Sequence, residues 1–110
     1  MTTMRERLEG MIDGPRDGAM LRHSLGIALM QEGDTAAAID RFSEALAFDP
    51  DYSAAWKALG KALSEGGRQA EALDAYRKGI EVATGRGDLQ AAKEMTVFAR
   101  RLEKAGRPAG

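Results

Sequence analysis

Histidine, lysine and carboxylate side chains are the candidates for chemistry in this sequence, but they form no catalytic or metal-binding pattern. His23 is the single histidine, cysteine is absent, and neither H-x3-H nor C-x2-C spacing occurs, so zinc and thiol chemistry are not expected. Asp40 and Asp74 lack a second carboxylate for acid–base catalysis. The glycines form no phosphate-binding loop. We therefore expect no metal, no cofactor and no enzymatic activity.

Lys57 and Lys61 are the side chains that most favour a binding role. They lie four residues apart on a predicted helix, where a like-charge pair costs roughly 0.2–0.5 kcal/mol. A partner that carries carboxylates would offset this repulsion. In the alternative interpretation both lysines are simply solvated and Glu65 neutralises Lys61, since exposed ion pairs contribute little.

The two lysines belong to a stretch that has an earlier copy 34 residues before it. Within each copy, apolar residues recur at helical intervals in two runs, and a short glycine-containing turn separates the runs. Each copy is therefore predicted to be an antiparallel helical hairpin. Gly26 and Gly60 are expected to let the two helix backbones approach, and Trp56, Phe42 and Tyr76 are expected to lie in the core. The residues that are identical in the two copies are Leu25/Leu59, Gly26/Gly60, Ala28/Ala62, Leu29/Leu63, Gly33/Gly67, Ala36/Ala70, Ala38/Ala72 and Asp40/Asp74.

The repeated pattern resembles the tetratricopeptide repeat (TPR) family. The second copy reads Trp56-x2-Leu59-Gly60-x2-Leu63 and then Ala72-x3-Tyr76. Departures from the family pattern are Arg22 for the aromatic residue, Leu29 and Leu63 for tyrosine, Gly79 for alanine and Thr84 for the closing proline. The resemblance implies an all-α fold, a superhelical stack of antiparallel helical hairpins, whose concave groove binds a peptide.

The whole chain is predicted to be one TPR-like domain, residues 1–110, with about six helices. Its parts are an N-terminal half-repeat helix in 1–17, repeat 1 in 19–50, repeat 2 in 53–84 and a C-terminal capping helix in 88–105. Thr3 and Glu6 predict a capping box that begins a helix reaching about Asp13, and a frayed tail is the alternative. Asp17 is expected to cap the second helix and Asp34 the third.

The C-terminal helix is predicted to close the stack. Residues 84–87 are expected to form a linker, Asp88 to cap the helix, and Gly106 and Pro108 to end it. A terminal helix of such a stack needs a polar outer face, because no further repeat covers it.

The repeat register predicts which residues line the groove. One end is expected to be apolar and rich in methionine, a side chain suited to adaptable surfaces, and the other end to be basic. We expect an acidic or C-terminal peptide segment to bind there. The family's carboxylate clamp is not expected, because His23, Ile27 and Ala58 do not match it. The predicted peptide-binding residues are Met20, His23, Ile27, Met30, Lys57, Lys61, Lys93, Val97 and Arg100, the last three placed by a shift of two residues.

The sequence thus predicts a protein–protein interaction module, an adaptor or scaffold for a protein or peptide partner. The alternative is a self-associating structural module or a subunit of a larger assembly, and the chain is expected to be a monomer or weak homodimer. The net charge of -1 argues against nucleic acid, although Lys57, Lys61, Lys93, Arg100 and Arg101 would be the cations of such a binder. No apolar run approaches the ~18 residues of a membrane span. A cytoplasmic protein without a membrane partner is expected.

Overall fold

Six α-helices and no β-strand occur in residues 2–106, the part of the chain that the computed structural model describes. The all-α prediction is confirmed. None of the helices in this part combines the length and the apolar content that crossing a bilayer requires. Pro108, predicted to help end the last helix, lies outside the described residues. The helices are α1 (Met4–Glu9), α2 (Ala19–Gln31), α3 (Thr35–Phe48), α4 (Ser53–Glu65), α5 (Gln69–Gly85) and α6 (Leu89–Ala105).

Three of the helices begin at the predicted side-chain caps. Thr3, Asp34 and Asp88 each accept a hydrogen bond from the backbone N–H three residues later, at 3.1 to 3.3 Å. The predicted cap at Asp17 is wrong, because Gly18 occupies the capping position of α2. The Asp17 carboxylate instead accepts two hydrogen bonds from the Arg22 guanidinium, at 2.9 and 2.7 Å. The pair with Arg22 gives the carboxylate two charge-assisted hydrogen bonds, whereas a cap would give it one.

α1 is shorter than predicted. It ends at Glu9, with Gly10 as its C-cap, and turns follow where the sequence predicted helix as far as Asp13. Glycine is unfavourable inside a helix, because its backbone loses more conformational entropy there than that of any other residue. Leu8 and Ile12 still pack partly against the core, so this N-terminal segment lies on the first hairpin.

The turn after α5 has the same backbone geometry as the turns inside the two hairpins. Gly33, Gly67 and Gly87 all have a φ between 75° and 80°, a left-handed conformation that glycine adopts without strain. After each of them, the next N–H bonds to a carbonyl five residues back, at 2.8 to 2.9 Å. The predicted linker 84–87 is therefore partly helix, and α5 reaches Gly85 before it turns into α6.

An aromatic ring of each hairpin packs directly on a glycine of its first helix. A Cβ atom built on Gly26 would lie 2.4 Å from Cε1 of Phe42, and one built on Gly60 would lie 2.5 Å from Cε1 of Tyr76. The sequence predicted that these glycines let two helix backbones approach. The structure shows that they make room for the ring of the second helix in the same hairpin.

A third glycine contact attaches the last helix. Met95 of α6 is fully buried, and a Cβ on Gly79 of α5 would lie 2.5 Å from its sulfur. Trp56 of α4 borders the same place, and its indole Nε1 donates a hydrogen bond to the Pro50 carbonyl at 2.7 Å. Gly79, one of the departures from the family pattern, thus provides the space that Met95 fills.

Candidate functional site

The first helices of the two hairpins and the last helix enclose one groove of about 690 Å³, which we call the concave groove. Its middle is formed by α4, which contributes more residues than either neighbour. α4 contributes several small side chains to the lining, and α5 and α6 each contribute an aromatic ring. The lining residues are His23, Ile27, Ala54, Lys57, Ala58, Lys61, Ser64, Glu65, Tyr76, Glu94 and Phe98.

Four of the nine predicted binding residues lie in this groove: His23, Ile27, Lys57 and Lys61. The two methionines of the prediction do not line it. Met20 is 74% exposed on the same helix, and Met30 packs partly against the core. The methionine-rich end that the sequence predicted is therefore absent from the groove lining, and Ile27 is the apolar residue that α2 provides.

The three residues predicted from α6 lie elsewhere. Lys93, Val97 and Arg100 line a separate depression of about 370 Å³, together with Ile80 and Thr84 of α5. The groove receives Glu94 and Phe98 instead. Each of these follows a predicted residue directly, and one residue turns a helix by about 100°. The side of α6 that faces the groove is thus not the side that carries the three predicted residues.

The position of the buried residues explains the difference. α6 buries Ala92, Met95 and Ala99, and this stripe faces α5 and α4. At about 100° per residue, Glu94 and Phe98 lie on one side of that stripe, whereas Lys93 and Arg100 lie on the other. α4 is followed by α5, with which it pairs, whereas no helix follows α6 in the described chain. The packing of α6 therefore differs from that of α4.

Lys57 is already paired within the protein. Its Nζ lies 2.7 Å from Oε2 of Glu94, so the pair connects α4 with α6 across the groove. Gln90 donates a second hydrogen bond to Glu94 at 3.1 Å. The hydrogen bond from Lys57 is the main cause that lowers the pKa of Glu94, and the one from Gln90 adds to it.

Lys61 carries a positive charge at the groove without such a pair. It is exposed, and within residues 2–106 no carboxylate lies within 4.0 Å of its Nζ. The ion pair between Lys61 and Glu65, which was the alternative interpretation of the sequence, does not occur in the described structure. A ligand carboxylate can therefore reach Lys61 without displacing a protein group.

His23 lies at the α2 end of the groove between two aromatic rings. Its ring centroid is 5.7 Å from that of Phe42 and 5.2 Å from that of Tyr52. Burial lowers the pKa of His23, and the positive charge of Lys57 lowers it further. The imidazole is consequently neutral at pH 7 and presents an uncharged surface to the groove.

Because the pKa of His23 is lower in the folded state than in the unfolded state, the folded protein should lose stability in mild acid. In the unfolded chain His23 gains its proton near pH 6.5, whereas in the folded protein it does so only at a lower pH. The unfolding free energy, measured with urea at pH 7.5, 6.5 and 5.5, is expected to fall with pH. His23→Gln should flatten this part of the profile, and an unchanged slope in the variant would contradict the assignment to His23.

Sequence reasoning missed the aromatic part of the site. Tyr76 and Phe98 form a pair with ring centroids 5.5 Å apart, and both line the groove. Tyr76 was assigned to the core alone, since the repeat pattern already explains an aromatic residue there. The one available signal was that Tyr76 carries a hydroxyl where its counterpart, Phe42, has none.

Comparison with known proteins agrees with this architecture. A family model described as tetratricopeptide repeat matches residues 29–95. A TPR repeat-containing protein of Pseudomonas aeruginosa is 43% identical over 102 residues, which cover 93% of this chain and 97% of that protein.

Two solved structures are similar over most of the chain. A protein from Bordetella parapertussis, solved in solution, is 42% identical, has a TM-score of 0.82, and is matched over 96% of this chain and 91% of its own. A tetratricopeptide repeat domain protein from Salinibacter ruber is 27% identical with a TM-score of 0.78, over 87% of this chain and 96% of its own.

TPR proteins generally act as non-enzymatic scaffolds that mediate protein–protein interactions. The paired helices, the aromatic rings seated on Gly26 and Gly60, and the groove along the first helices agree with that architecture. With a family model that matches most of the sequence and a relative that is similar over nearly its full length, the chain belongs to the tetratricopeptide repeat family.

Proposed function

We propose that the concave groove binds a peptide segment of a protein partner, with Lys61 as the contact for a carboxylate of that segment. The protein then acts as an adaptor that holds one partner through a short stretch of its chain. The observation that carries the proposal is that the exposed Lys61 lines a largely apolar groove and forms no ion pair within residues 2–106. Binding sites for small or extended ligands combine an apolar lining with few well-placed polar groups in this way.

The apolar surface available to a ligand is concentrated in the middle of the groove. Ile27 is 39% exposed, which is high for a large aliphatic residue on a packed helix. Ala54 and Ala58 on α4 are small, so they leave space beside it, and Phe98 forms the opposite wall. A leucine or phenylalanine side chain placed there would stabilise the complex by about 25 cal/mol for each Å² of apolar surface that it buries.

Lys61 offers a cation in the groove with which a carboxylate of the ligand can pair. Lys57 and Glu94 neutralise each other at 2.7 Å, which leaves Lys61 and Glu65 as the remaining charged side chains of the lining. A carboxylate that approaches Lys61 completes an ion pair in a partly apolar setting, where charge pairs are less screened than in bulk water. Lys57 is unsuited to this role, since a ligand would first have to compete with Glu94.

The test is a screen of displayed peptides for binding to the purified protein, followed by affinity measurements on the enriched peptides. We expect enrichment of peptides with a large apolar residue next to an acidic side chain or a free C-terminus. Lys61→Glu should weaken their binding at least about tenfold at low ionic strength, because the variant repels the carboxylate.

Lys93→Glu is the matched control, since it makes the same change of charge on the outer side of α6. It is expected to change the affinity less than twofold. Equal losses in the two variants would indicate a general charge effect and contradict a specific contact with Lys61. Enrichment of no peptide at all would contradict the proposed function.

Self-association is a second candidate, because the outer face of α6 is not the polar surface that a terminal helix needs. Leu89 is 60% exposed and Val97 is 46% exposed, next to the depression that also contains Lys93 and Arg100. A further helix or a second copy would cover this surface. Sedimentation velocity at two protein concentrations tests it, since a sedimentation coefficient that does not rise with concentration excludes the dimer.

A further inference from the structure

The two hairpins differ at one aromatic position in a way that packing alone does not require. Phe42 and Tyr76 are equivalent in the repeat, and each ring is seated on the glycine of its own hairpin. Phe42 is fully buried, whereas Tyr76 retains 4% of its surface exposed and lines the concave groove. The ring has the same structural role in both repeats. The hydroxyl, which only the second repeat has, is therefore not needed for this packing.

The Tyr76 hydroxyl has no hydrogen-bond partner among residues 2–106, yet it is not sealed from solvent. In the described part of the chain no buried side-chain nitrogen or oxygen lacks a partner. The small exposed surface of this side chain therefore includes the hydroxyl, and Tyr76 lines the same groove as Lys61 and Ser64. A hydroxyl that has no protein partner and lines a groove is free to donate a hydrogen bond to an acceptor of a ligand.

The surroundings fix both the direction and the protonation of this group. Gly60 lies against one face of the ring and Phe98 packs beside it, so the ring has no room to turn away. Burial raises the pKa of Tyr76, and the negative charge of Glu65 raises it further. At neutral pH the hydroxyl is therefore a hydrogen-bond donor, and its complement is an acceptor oxygen.

We propose that the Tyr76 hydroxyl donates a hydrogen bond to the ligand carboxylate that Lys61 binds, which makes Tyr76 a specificity-determining residue of the groove. This inference rests on the proposed function. It places the carboxylate of the ligand over the second repeat and the neighbouring apolar side chain over Ile27 of the first. The ligand class is a peptide segment in which a large apolar residue adjoins a carboxylate, from either a chain terminus or an acidic side chain.

Three small probes separate these sources of the carboxylate. N-acetyl-leucine has an α-carboxylate, N-acetyl-leucyl-aspartic acid α-amide has a side-chain carboxylate, and N-acetyl-leucinamide has the same apolar group without a carboxylate. Each is titrated into the 110-residue protein while the backbone amide signals of α4, α5 and α6 are followed by NMR. The wild-type protein should bind at least one carboxylate probe several-fold more tightly than N-acetyl-leucinamide.

Tyr76→Phe is the test variant, and Phe42 shows that phenylalanine fits the equivalent position. The variant should have the thermal unfolding midpoint of the wild type. It should bind the preferred carboxylate probe about tenfold more weakly, since a hydrogen bond to a charged group is lost. Its affinity for N-acetyl-leucinamide should stay within a factor of two.

The possible outcomes distinguish this inference from the proposed function. If the wild type binds a carboxylate probe and Tyr76→Phe changes that affinity less than twofold, or lowers the affinity for all probes equally, the hydrogen bond is refuted and the groove remains a binding site. If the wild type binds none of the probes, the groove does not select an apolar group beside a carboxylate. Both the proposed function in its acidic form and the role of Tyr76 are then refuted.

Discussion

Replacing Phe42 with alanine is expected to lower the free energy of unfolding by about 3–5 kcal/mol. The side chain is fully buried, its ring fills the space above Gly26, and His23 packs against it at 5.7 Å between ring centroids. The glycine has no side chain with which to refill the cavity, so the loss of buried surface and the cost of the cavity add. This loss is a large share of the 5–15 kcal/mol that is typical of a small domain. Urea unfolding followed by far-UV circular dichroism measures it.

Phe48→Ala provides the matched control, because it removes the same side chain from the same helix at an exposed position. Phe48 is 55% exposed, and the Arg22 guanidinium lies 5.7 Å from its ring centroid. Such a contact at the surface contributes about 0.5–1 kcal/mol, so the loss in this variant should stay below about 1 kcal/mol. Similar losses of unfolding free energy in the two variants would contradict the prediction that the ring packed on Gly26 contributes more to stability than an exposed ring.

Replacing Met95 with alanine is expected to cost about 2–4 kcal/mol and to loosen the last helix first. Met95 is the fully buried residue of α6 and fills the space that Gly79 leaves beside Trp56. In residues 2–106 the packing partners of α6 are α5 and α4, and its buried stripe faces both of them. Amide hydrogen exchange should therefore accelerate more in α6 than in α2 or α3.

Met20→Ala is the control for this experiment, since Met20 is 74% exposed and its removal should change the stability by less than about 0.5 kcal/mol. Exchange that accelerates uniformly over all helices in Met95→Ala would show that the stack unfolds as one unit, contrary to this prediction. If α6 does loosen alone, the groove loses the wall that carries Glu94 and Phe98, and peptide binding should weaken along with it.

The repeat made the fold readable in the sequence. Identical residues 34 positions apart define the two hairpins, and glycine, aspartate and aromatic residues recur where turns, caps and crossings need them. These features depend on local conformation and on spacing, which the sequence contains directly. The ends of helices were less certain, because Asp17 was as plausible a cap as Asp34 until its pairing with Arg22 was known.

The candidate site was predicted best where the repeat is regular. His23 and Ile27 on α2, and Lys57 and Lys61 on α4, follow from the register of the hairpins, and all four line the groove. The residues of α6 did not follow, because the side of this helix that faces α4 carries Glu94 and Phe98, and neighbouring positions on a helix differ in direction by about 100°.

The order of residues along the chain thus established the helical hairpins, their period and the faces that α2 and α4 turn to the groove, since each of these follows from helical geometry and repetition. Folding in three dimensions decided which side of α6 faces α4, that Lys57 is engaged by Glu94 whereas Lys61 is not, and that Tyr76 lines the groove. These properties arise from contacts between residues 16 to 37 positions apart in the chain, such as Gly60 with Tyr76 and Lys57 with Glu94. Their geometry depends on how the helices pack, and no spacing within a single helix specifies it.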